Sequence, residues 1–133
     1  MGERAVPIRV KLGALWASLM SLYIYNDYFK LYRPGALTGM MAGQMGPLGH
    51  AGDTVLIAVS IVLALPALMI ALSVLLPSRA SYWLNIPLAL AYSAIEGLTV
   101  MGAYPAYQIV VAMEIGVTLT ILALAIRGLR SRE

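Results

Sequence analysis

Three carboxylates define the chemistry open to this chain of 133 residues: Asp27, Glu96 and Glu114, each set within or at the end of a long apolar run. An ionisable group in hydrocarbon is costly, so it faces a bundle interior or a watery cavity and marks a functional position by default. Carboxylates in such a setting can take up a proton or exchange it for a cation. Asn26, Tyr92, Tyr107 and Gln108 lie close to the three acids in sequence or in helical register and supply hydrogen-bonding walls. The same residues also have a structural reading. Asp27 can pair with Lys30 one turn away, and protonated Glu96 and Glu114 can bond across helices to tyrosine or threonine as packing groups. No base other than Lys30 shares their depth, which favours function for Glu96 and Glu114.

Other chemistries have little to stand on. The chain has no cysteine, so thiol redox centres, disulfides and thiolate metal sites are excluded, and a single histidine, His50, excludes multi-histidine haem or zinc ligation within one chain. Met40, Met41, Met45 and His50 are soft ligands that could hold copper(I), but methionine is also common filler on an apolar loop helix. The expectation is no metal and no cofactor. There is no phosphate-cradling glycine motif, no serine nucleophile in a recognisable turn and no basic patch interleaved with aromatics. No catalytic residue is assigned and nucleic acid is not an expected partner.

The elements that must position the acids are helices in lipid. Hydrophobic residues make up 61% of the chain, charged residues 11%, and mean hydropathy is +0.84. Soluble domains carry about 45–50% and 25%. Four apolar runs, at about 12–32, 54–76, 82–101 and 105–126, are each near the ~20 residues a bilayer crossing needs. The first follows a short basic arm and ends in tyrosines, Asn26 and Asp27, with no small-x-small cleavage site, so it reads as a retained span. Its tyrosines Tyr25, Tyr28 and Tyr32 suit an aromatic belt. Asp53 is the expected N-cap of span two, Pro66 predicts a kink in it unless neighbours compensate, and Pro105 fits the first position of span four. Asn85, Ala89, Tyr92, Glu96 and Thr99 share one stripe of span three; Tyr107, Val111, Glu114 and Thr118 share a face of span four. Half of the twelve glycines fall within residues 33–53, where Ala36–Met45 reads as a short helix in the only long connection.

Seven of the nine bases lie in the N-terminal arm, the 77–81 connection and the C-terminal tail. By the positive-inside rule both termini are cytoplasmic, the membrane is the cytoplasmic (inner) one and the glycine-rich loop is outside. At ~1.5 Å per residue, Asp27 and Glu96 lie ~20–25 Å above the inner end and Glu114 ~14 Å below the outer end, placing all three acids in the outer half or at the midplane.

The order of landmarks is also familiar: Asp27 and Pro34-Gly35, then Leu72-Ser73, Arg79-Ala80, Trp83-Leu84-Asn85-Ile86, and Glu114. Over about residues 10–128 the chain resembles a family of small bacterial four-span integral membrane proteins described as a domain of unknown function. Members of that family tend to carry a glutamate before the span-two proline and an arginine after the Leu-Ser pair. Here Ala64 or Leu65 and Val74 stand there, so a span-two ion pair is not implied. The resemblance implies architecture and supplies no activity.

The expected fold is therefore all-α, a single membrane domain over residues 1–133. It is a polytopic four-helix bundle with antiparallel spans and a short helix in the outer 33–53 loop. The expected function is a carrier or proton-coupled transporter. Its site is Glu114, Glu96, Asp27, Asn26, Tyr92, Tyr107 and Gln108, and its ligand a small molecule, cation or proton. An accessory subunit or scaffold of a membrane complex is the alternative, followed by an enzyme acting on a lipid or quinone. Four helices this short bury little alone, so a homodimer or larger complex is an expected partner state.

Overall fold

The computed structural model describes residues 5–44, 49–101 and 105–131. They form five helices: α1 (Ile8–Lys30), α2 (Ala36–Met41), α3 (Asp53–Leu75), α4 (Ser78–Val100) and α5 (Pro105–Ser131). Among the described residues there is no strand, and Gln44 and His50 make one isolated bridge. The fold is all-α. Gly102-Ala103-Tyr104, the turn that the sequence leaves between the expected third and fourth spans, and Met45 of the expected loop helix lie outside the described residues.

Proline and glycine set the boundaries. Pro7 precedes α1, and its carbonyl accepts the amides of Val10 and Lys11. Pro34 follows the end of α1, and Gly35, at φ 81°, turns the chain into α2. That helix is shorter than the expected Ala36–Met45 because Gly43, also at φ 81°, closes it. The Gln44 amide bonds to the Gly39 carbonyl and the Gly43 amide to that of Met40, the paired closure that satisfies a helix end. The N-cap of α3 is Gly52, one residue before the expected Asp53, and no side chain caps the helix. Asp53 sits instead in the first turn, where its charge complements the helix dipole.

Helices α4 and α5 pack along each other, and α1 lies against both α3 and α5, whereas α3 and α4 meet over a shorter length. The order around the bundle is thus α3, α1, α5, α4. Leu12, Trp16 and Leu19 of α1, Met69 of α3, Tyr82, Ala89 and Tyr92 of α4, and Ile121 and Ala125 of α5 form the core. The buried residues of α3 are Pro66, Met69 and Ser73, all in its second half. Residues 53–65 contribute none. Two helices, α3 and α5, are long and apolar enough to cross a membrane.

The end of the bundle at the α3–α4 turn is tied by polar groups. Trp16 Nε1 donates to Asn85 Oδ1 at 2.6 Å, Asn85 Nδ2 donates to the Ser81 carbonyl at 2.7 Å, and Ser81 Oγ donates to the Ser73 carbonyl at 2.8 Å. Trp16, Ser73, Ser81 and Asn85 are all fully buried. This network joins α1, α3 and α4. Beside it, Arg9 Nη1 donates to the Leu76 carbonyl at 2.7 Å, neutralising the open C-terminal end of α3.

Close approaches at two glycines hold the same end together. A Cβ on Gly13 would lie 3.1 Å from the Ile70 carbonyl oxygen, and one on Gly128 would lie 2.6–2.7 Å from ring atoms of buried Tyr82. Gly128→Ala must therefore shift α5 or the buried Tyr82 ring. The expected outcome is a loss of about 1–3 kcal/mol of stability, read from a denaturant titration. Gly116→Ala meets open space and changes little.

Candidate functional site

Toward the opposite end, α3 stands off from α4 and a cavity of about 1540 Å³ opens among α1, α3, α4 and α5. Its floor is polar. Glu96, 2% exposed, accepts from the Tyr23 hydroxyl on one carboxylate oxygen and from Thr118 Oγ1, at 2.9 Å, on the other. Ser93 Oγ donates in turn to Thr118 at 2.8 Å. Three helices are thus joined through one acid whose two oxygens are both occupied.

Glu114 is different. It is only 3% exposed and lines the same cavity, yet its Oε2 accepts no hydrogen bond from any of the described residues. Asn26, 7% exposed, also lines the cavity, and its Oδ1 likewise has no partner among the described residues. Leaving a buried acceptor unmade costs about 1–3 kcal/mol, more for a charged group. Two such acceptors, one on α1 and one on α5, belong to residues lining the same cavity and call for donors.

Tyr92 stands between floor and wall. Its ring meets Trp16 edge-on, centroids 6.0 Å apart, and tilts against Tyr23 at 6.5 Å. Its hydroxyl donates to the carbonyl of Val62. That carbonyl lies four residues before Pro66, so in an ordinary helix it would accept the amide of residue 66. Proline has no amide, and Tyr92 supplies the missing donor. Helix α3 accordingly runs unbroken across Pro66.

The mouth is charged and partly covered. Asp27 and Lys30 pair at 3.8 Å with both side chains largely exposed, a geometry worth at most about 1 kcal/mol. The Lys30 ammonium and the Arg33 guanidinium each lie 5.8 Å from the Tyr107 ring centroid. Ala36, Gly39 and Met40 of α2 line the cavity above them, with Gln44 and Ala51, so α2 and these two residues form a roof.

The expected site residues are therefore sorted by the structure. Glu96, Glu114, Asn26 and Tyr92 converge on the cavity, with Asp27 and Tyr107 at its mouth. Gln108 is not among the lining residues; it is exposed, and its Nε2 donates to the Val100 carbonyl at 3.3 Å. Tyr23, Ser93 and the Trp16–Asn85 pair were not singled out by the sequence. Their signal was a polar group on a buried stripe, which must find a partner on another helix. Of the methionine–histidine set, Met40 lines the roof, Met41 points outward and Met45 lies outside the described residues.

Among curated proteins and solved structures, nothing matches this chain. The sequence profile of DUF6326, described as a family of unknown function, matches residues 6–132. With nearly its whole length aligned to that profile, including every helix that builds the cavity, the chain belongs to the DUF6326 family.

Proposed function

We propose that this chain is a four-span protein of the cytoplasmic membrane, both termini inside, acting as a carrier that binds a proton or a small cation at Glu114. Two observations support the membrane setting. Large apolar side chains such as Ile57, Ile61, Leu98, Met101 and Ile109 are each more than half exposed, an arrangement suited to lipid. Arg9, Arg79, Arg127 and Arg130 gather at the end opposite the cavity, as bases on a cytoplasmic side do.

The observation that carries the carrier reading is Glu114, a buried residue that lines the cavity and whose Oε2 has no hydrogen-bond partner among the described residues. A packing acid would be satisfied by the protein, as Glu96 is. An acid held ready for a proton or an N–H-bearing cation would be left open on its ligand side. Asn26 beside the same cavity supplies a second acceptor, while Asp27 adds negative charge at the mouth.

The test is uptake of guanidinium, a permanent cation with N–H donors, into proteoliposomes under an imposed pH gradient. Glu114→Gln is expected to lower uptake about tenfold or more, because a hydrogen bond to a charged group contributes roughly 1.5–3 kcal/mol. Unchanged uptake in both Glu114→Gln and Glu96→Gln would remove the carrier reading. An accessory subunit or a lipid-directed enzyme would show no such flux at all.

A further inference from the structure

We infer that the ligand of this site is a lipophilic cation with N–H donors on its charged end, such as an alkylated amine or guanidine, whose apolar body lies between α3 and α4. The inference rests on the carrier reading of Glu114 and names the class of molecule it takes. The charged end follows from the two buried acceptors, Glu114 Oε2 and Asn26 Oδ1, which call for donors and, at Glu114, for positive charge. A quaternary ammonium would leave both unbonded.

The apolar body follows from size and from the side wall. A bare ammonium or guanidinium fills only a small part of a cavity of about 1540 Å³, which exceeds the ~300–1,000 Å³ of ordinary small-molecule sites. Val59, Val62, Leu63 and Ile95 line it and also line an adjoining apolar cavity of about 510 Å³. The space thus continues sideways between α3 and α4, beside the half of α3 that buries nothing. Charge favours this side as the way in. The roofed mouth carries Lys30 and Arg33, which repel a cation, whereas among the described residues the only charged one lining the side cavity is Asp27. A cation dissolved in the bilayer can enter between the helices along a mostly apolar wall, with Lys30 reached only through its pair with Asp27.

The experiment is equilibrium binding to the full chain in lipid nanodiscs, with empty nanodiscs as the blank. Four probes are compared: octylguanidinium, guanidinium, octyltrimethylammonium and octanoate. Octylguanidinium is expected to bind at least about tenfold tighter than guanidinium, since each buried methylene contributes ~0.8 kcal/mol. It should exceed octyltrimethylammonium by a similar factor, and octanoate should show no protein-dependent binding. Glu114→Gln and Val59→Trp, the latter narrowing the side wall, are each expected to weaken octylguanidinium about tenfold; Asn26→Leu serves if Glu114→Gln fails to fold by circular dichroism.

Equal, Glu114-dependent binding of guanidinium and octylguanidinium would overturn the lipophilic class and leave the carrier reading standing. Octyltrimethylammonium binding as tightly as octylguanidinium would overturn the requirement for N–H donors. Octylguanidinium binding untouched by Glu114→Gln, Asn26→Leu and Val59→Trp would overturn the inference outright. Absence of Glu114-dependent binding by every cation would take the carrier reading with it.

Discussion

Asn85→Ala lowers the unfolding free energy by about 3 kcal/mol and shifts the emission of Trp16. A single hydrogen bond between helices in lipid averages only ~0.6 kcal/mol, so most such substitutions are mild. Asn85 is in another position. Its Oδ1 accepts from Trp16 at 2.6 Å and its Nδ2 donates to Ser81 at 2.7 Å, and all three residues are fully buried. Removing it strands the indole N–H in a dry core, at a cost of roughly 1–3 kcal/mol, and adds the loss of a linked network and of packed volume. The measurement is detergent-titrated unfolding followed by tryptophan fluorescence in a Trp83→Phe background, which isolates Trp16. Ser73→Ala, which leaves both strong contacts of Asn85 intact, should cost less than about 1 kcal/mol by the same method. Equal losses from the two would mean that the network is not the clamp.

Glu96→Leu has the second largest expected effect, about 2 kcal/mol of stability, because the part-buried Tyr23 hydroxyl loses its acceptor and the link from α4 to α1 is cut, while Thr118 can still donate to the Ile115 carbonyl at 3.0 Å. Glu96→Gln keeps a carbonyl oxygen for one of them and offers the other an amide to accept from, so its cost should stay near 1 kcal/mol. Glu114 has the opposite signature. With no hydrogen bond on Oε2 from the described residues, Glu114→Gln should leave stability unchanged or slightly raised while uptake falls. The two acids are then separated by one melting series and one flux series. A large stability loss at Glu114 and none at Glu96 would reverse their roles.

Much of this arrangement follows from helical periodicity. The three-to-four spacing of Asn85, Ala89, Tyr92 and Glu96 places them on one face, and the structure buries all four. Val111, Glu114 and Thr118 behave alike on α5. Which helix meets which is another matter, because the seam order α3, α1, α5, α4 depends on packing across the whole bundle. That order decides that Glu96 takes its hydrogen bond from Tyr23, and that Trp16 finds Asn85 sixty-nine residues away. Gln108 shows the same limit from the other side. It lies one residue from Tyr107, and at about 100° per residue that single step turns it out of the cavity and toward the surface. The loop helix was shortened by a purely local cause, the left-handed Gly43.

The tyrosine that completes α3 at Pro66 has a mechanical consequence. A helix normally resists bending through a backbone bond that cannot leave without unwinding the turn. Here the Val62 carbonyl is satisfied by a side chain of another helix, so rotation of Tyr92 can release it with no backbone N–H of α3 having to leave. Beyond it, residues 53–65 form a lever with no buried residue to hold it. Thirteen residues at ~1.5 Å each give an arm of ~20 Å, so a swing of ~10° moves its tip by ~3 Å, about the width of a methylene chain.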